Sequence, residues 1–77
     1  MSENSEYMAA IGGLHISVNK DGGGTLGRAY EGNWTITVRN GPEYVYDNDT
    51  LHTGTPKTHA EVARTAFIFA SAKIDEA

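Results

Sequence analysis

The chain has 77 residues, 39% of them hydrophobic and 21% charged, with a net charge of −4 and no cysteine. A chain of this size buries only about 60% of the surface it exposes when unfolded, so one small domain with a thin core is expected rather than a disordered chain. The missing thiols exclude disulfides, thiolate zinc sites and a cysteine nucleophile and fit a reducing, cytoplasmic setting, while the negative charge opposes a phosphate backbone except where cations cluster.

The first ten residues, MSENSEYMAA, are polar and acidic with no periodic apolar pattern, which predicts a mobile tail over 1–10 and a single domain over 11–77. They lack the positive charge and apolar run of a secretory signal, and no later stretch approaches the about 18 apolar residues of a membrane span. Two N-x-[ST] triplets, at Asn33 and Asn48, therefore read as chance.

From Leu14 the pattern alternates, Leu14, Ile16 and Val18 against His15, Ser17 and Asn19, the period of a half-buried strand. Asp21-Gly22-Gly23-Gly24 ends it, because successive glycines cost too much backbone entropy inside an element. The stretch DGGGTLG spells G-x-G-x-x-G, a pyrophosphate cradle where a strand precedes it and a helix comes after. The next residues, RAYEGNWTITVR, instead predict a strand by their β-branched alternation, so the glycines read as a hairpin loop; Leu26 to Tyr30 offers an extra edge strand. In the second strand Trp34, Ile36 and Val38 oppose Thr35, Thr37 and Arg39. Asn40-Gly41 then signals a type I′ turn, subject to a register shift at Pro42, and EYVYD returns as a third strand. Gly54 and Pro56 are expected to end the sheet. Thr58-His59-Ala60-Glu61 has the form of a capping box opening a helix from about His59 to Lys73. At 100° per residue Val62, Ala63, Ala66, Phe69 and Ala70 share one face, Phe67 and Ile74 flank it, and Ile68 points away.

The fold expected is α+β: a three-stranded antiparallel sheet with one C-terminal helix packed on one face and Trp34 in the core. Catalytic chemistry has little support. The three histidines, 15, 52 and 59, lack helical zinc spacing, and no metal or cofactor site is expected. DNDT at 47–50 begins like a calcium loop but has His52 where glycine is needed and Thr58 where glutamate is needed. Ser17, His15 and Asp21 have no nucleophile elbow or oxyanion loop to activate a hydroxyl, so no enzyme is expected.

The sheet face away from the helix is the candidate binding surface: His15, Ser17, Thr35, Thr37 and Arg39, with Tyr44 and Tyr46 if the third strand turns its tyrosines outward. Val45 and Leu51 share parity and favour that choice, although the reverse assignment is nearly as well supported. Such residue types are enriched at binding surfaces. A solvated sheet with cross-strand threonine pairs accounts for them as well.

The segment GNWTITVRNGPEYVYDNDTLHTGTPKTHAEVARTAF, about half the chain, resembles the three-stranded-sheet-plus-helix DNA-binding domains of the AP2 and integrase arm-binding type in its tryptophan strand, turn, returning strand and threonine-led helix. The resemblance implies a sheet face in the major groove, carried by Thr35, Thr37, Arg39, Tyr44 and Tyr46; here the strands bear only Lys20, Arg28 and Arg39 as basic residues. Small size and acidity are also similar to small accessory proteins of bacteriophages. The function expected is a non-enzymatic module that binds a host or partner protein, with DNA binding by the open sheet face as the alternative. Ile68 and Phe67 fall outside any stripe a three-stranded sheet can bury, which predicts self-association as a homodimer.

Overall fold

A computed structural model describes residues 6–76. The elements are β1 (Tyr7–Ile11), β2 (Leu14–Lys20), β3 (Tyr30–Asn40), β4 (Glu43–Lys57) and α1 (His59–Glu76). All neighbouring strands are antiparallel, and the sheet order β1-β2-β3-β4 is the order of the chain. The chain is α+β with one C-terminal helix, but the sheet has four strands rather than three. Residues 7–10, expected in a mobile tail, belong to the fourth; residues 1–5 lie outside the described residues. Leu26 to Ala29 is loop, and Tyr30 opens β3.

The hidden strand has a simple origin. Gly12 and Gly13 both take positive φ, +55° and +84°, the backbone of a two-residue type I′ hairpin loop, and fold YMAAI back onto β2. The β3–β4 turn is shifted by one residue from the Asn40-Gly41 expectation. Its central residues are Gly41 and Pro42, because proline cannot supply positive φ while Gly41, at +66°, can. β4 also runs on through Gly54 and Pro56. As an edge strand it has one side without a ladder, where a missing N–H costs nothing.

One face of the sheet carries the core. Leu14, Ile16, Val18, Trp34, Ile36 and Val38 are buried against Val62, Ala63, Ala66 and Ala70 of α1. Alanines at the contact let the helix lie close to the sheet. His59 is buried as well, its ring edge-on to Trp34 at 4.9 Å and to Tyr30 at 6.5 Å between centroids. Trp34 donates its indole N–H to Thr53 Oγ1 at 3.3 Å, and the Thr53 hydroxyl donates to the Tyr30 carbonyl at 3.5 Å.

Phe69 departs from the expected core face and is 47% exposed. It shares a flank of α1 with Lys73, one turn on, which reaches β4 by donating to the Val45 carbonyl at 3.2 Å. The stripe of α1 that the sheet buries is narrow, Val62, Ala63, Ala66 and Ala70, and Phe69 falls just outside it. Phe67 lies on the other flank, half-buried against the core and pressed on Gly12, where an added Cβ would stand 2.6 Å from the ring.

The helix start is a capping box. The Thr58 amide donates to Glu61 Oε1 at 2.8 Å, and the Glu61 amide donates to Thr58 Oγ1 at 3.2 Å. The Thr58 amide holds the Glu61 carboxyl below its ordinary value of 4.5. A carboxyl with a depressed folded-state pKa contributes stability above its unfolded pKa and loses it as pH falls through the folded one. Glu61→Ala is therefore expected to be less stable than wild type at neutral pH, with the difference closing as the pH drops below about 4. Urea midpoints along a pH series check this; a difference that stays constant into acid would rule out the carboxylate as its source.

Candidate functional site on the open sheet face

With a single helix on one face, nothing among the described residues covers the other. Register defines what that face presents. Ala10, His15, Arg39 and Tyr44 are successive cross-strand partners and form a row across all four strands; Met8, Ser17 and Thr37 form the row behind it. Together they line a shallow groove of about 350 Å³. Met8 on β1, 73% exposed, and Tyr44 on β4, 57% exposed, stand at its two sides.

The two ends of the face differ in how their polar groups are used. Beyond the groove the Thr35 hydroxyl donates to Asp21 Oδ1 at 2.7 Å, and His52 Nδ1 lies 2.9 Å from Asn33 Oδ1. Thr37 Oγ1 accepts from the Asn48 amide at 3.2 Å, and Ser17 donates its hydroxyl to the Glu6 carboxylate. Ser17, His15 and Asp21 form no relay among themselves. By contrast, the Arg39 guanidinium, the His15 ring and the Tyr44 hydroxyl have no hydrogen-bond or ion-pair partner among the described residues. Arg39 carries the only permanent charge among the residues lining the groove. A guanidinium beside an aromatic ring suits a carboxylate held in a fork and a side chain stacked against the ring.

Six of the seven residues expected on this surface are on it: His15, Ser17, Thr35, Thr37, Arg39 and Tyr44. Tyr46 is not. It pairs with the core residue Val38, packs at the edge of the core and carries the Lys73 ammonium 4.6 Å from its ring centre. The cause is a pair of irregularities in β4. One shift lies between Ile36 and Val38, where Asn48 adopts φ +55°; another lies between Val38 and Arg39 and inserts Val45 between Tyr46 and Tyr44. An extra residue reverses the parity of everything after it, so two tyrosines that alternation would place together fall on opposite faces. Met8 and Ala10 were missed because their strand was missed; the signal available was the Gly-Gly pair directly before a clean strand.

The glycine-rich loop is a closed piece of structure. The Thr25 amide donates to the Tyr30 hydroxyl at 2.7 Å, which is the main cause holding that phenol below its ordinary pKa of 10.0, with Arg28 and Lys20 adding to it. Gly24 is pressed under the Tyr30 ring, where an added Cβ would stand 2.9 Å from Cε2. The loop leads into β3 and not into a helix, so its amides lack the dipole partner a phosphate cradle uses.

No family model, curated protein or solved structure matches the chain. No helix among the described residues is long and apolar enough to cross a membrane.

Proposed function

We propose that the protein is a small non-enzymatic binding module of the cytoplasm, of the kind bacteriophages use as accessory proteins, and that it holds a host or partner protein on the open sheet face. The observation that supports this reading is the row Ala10–His15–Arg39–Tyr44, whose polar ends are left unsatisfied within the described residues beside a groove. Arginine and tyrosine are among the residue types that most often dominate binding energy, and the tyrosine ring loses little entropy on immobilisation.

The test is affinity capture of partners on wild-type protein and on Arg39→Ala, Tyr44→Ala and the double variant. Each single change is expected to weaken the complex by roughly tenfold or more, with thermal stability unchanged because both side chains are exposed. Partners retained in full by the double variant would remove the open face as the site. The DNA-binding alternative separates by salt: a complex that neutralises several phosphates weakens steeply as salt rises, whereas a protein interface of aromatic and hydroxyl groups responds little. No shift of random duplex at low salt removes that alternative.

Self-association is the second part of the proposal. Ile68 is 60% exposed and Phe69 47%, so α1 keeps apolar surface that the sheet does not bury, and a thin core gains from a second copy. Phe67, expected beside Ile68 at such a contact, is committed to the core edge at Gly12.

A further inference from the structure

We propose that the edge of β1, which no other strand covers among the described residues, is the contact through which two copies of this chain pair, giving a continuous eight-stranded sheet; this rests on the self-association reading and replaces its helix face by a strand edge. The two edges of the sheet are built differently. β4 is guarded: it carries Pro56, register shifts against β3, the left-handed Asn48 and the acidic residues Glu43, Asp47 and Asp49. These are the devices by which edge strands refuse a further strand. β1 has none of them, being the uncharged, regular and bulge-free run YMAAI.

The hairpin fixes which backbone groups the edge offers. In a two-residue loop the flanking pair, here Ile11 and Leu14, exchanges hydrogen bonds, and bonded and non-bonded pairs then alternate along the ladder. Tyr7, Ala9 and Ile11 therefore turn their amides and carbonyls to β2, and Met8 and Ala10 turn theirs outward. An antiparallel two-fold placed on Ala9 sets Met8 against Ala10 of the second copy and Ala10 against Met8, so about four backbone hydrogen bonds form.

Side chains agree with that register. On the open face the long Met8 lies over the small Ala10 of the other copy. On the helix face Ala9 meets Ala9 on the axis, and Tyr7 meets Ile11, an aromatic beside a β-branched residue. Tyr7 and Ile11 are half-buried at the rim of the core, and pairing finishes their burial. Phe67 and Ile74 lie seven residues apart on one flank of α1 and are also half-buried, so the helix above the seam adds apolar area to a strand contact only five residues long. Both open faces fall on the same side of the joined sheet, and the two binding grooves meet across the Met8 residues.

Sedimentation across micromolar concentrations, run on the full chain with Trp34 fluorescence as the check on folding, tests the proposal. Ala10→Pro removes one outward amide from each copy without touching the β2 ladder, and Met8→Lys places a charge on the edge should the proline disturb the hairpin. The wild type is expected to dimerise, Ala10→Pro to raise the dissociation constant on the order of 30-fold, the equivalent of two lost backbone bonds, Met8→Lys to raise it as well, and Ile68→Glu to leave it unchanged. Amide exchange at Met8 and Ala10 should slow as concentration rises. A wild type that stays monomeric overturns both the edge and self-association. A dimer that Ile68→Glu dissociates and the folded edge variants do not overturns the edge alone.

Discussion

Trp34→Ala is expected to cost about 3–5 kcal/mol and to lower the melting temperature by roughly 15–30 °C. Trp34 is fully buried in the central strand β3, lies against the His59 ring, and donates to Thr53 on β4. Its loss opens a cavity at the point where sheet, helix start and edge strand meet, and leaves the Thr53 hydroxyl without its indole donor. A domain of this length has a total stability of only about 4–12 kcal/mol, so the substitution removes a large fraction of it. Differential scanning calorimetry decides it: a variant that melts cooperatively within a few degrees of wild type would show that the core does not centre on Trp34.

Ala66→Leu is expected to destabilise by about 1–3 kcal/mol, although leucine is the more hydrophobic residue and nearly as good a helix former. Ala66 is fully buried at the centre of the alanine stripe that faces the sheet. Three further carbons must push α1 off β2 and β3 or force neighbouring side chains out of their rotamers. The control is Ala72→Leu on the exposed face of the same helix, expected to change stability by less than about 0.5 kcal/mol. Equal stability of the two leucine variants in urea would mean that the helix rests on the sheet with room to spare.

These two positions were legible in the sequence for different reasons. Trp34 sits in an alternating run flanked by β-branched residues, so its period and its bulk point the same way. Ala66 belongs to the helical stripe once the capping box at Thr58 fixes where the helix begins. What stayed hidden was hidden by physics that alternation cannot report. In β1 both faces are apolar, Tyr7, Ala9 and Ile11 toward the helix and Met8 and Ala10 toward the open side, so a period of two leaves no contrast to read. Tyr46 depended on an extra residue in β4, which sequence parity assumes away. Phe69 depended on how wide a stripe of the helix the sheet buries, a tertiary fact. Of the candidate surface, the rows on β2 and β3 were readable because regular pairing sets them, and the two walls of the groove, Met8 and Tyr44, were the parts that the missed strand and the irregular strand control.

Because each strand pairs only with its neighbour in the chain, the sheet can assemble as a zipper, one hairpin at a time, with no distant segment needing to arrive first. Folding built from such local closures is fast, and the long β3–β4 hairpin with its two-residue turn is the natural place to start. The same arrangement ranks the pieces by how readily they come loose. β1 is held in the sheet by one five-residue ladder at its edge, so it is the strand that opens most readily.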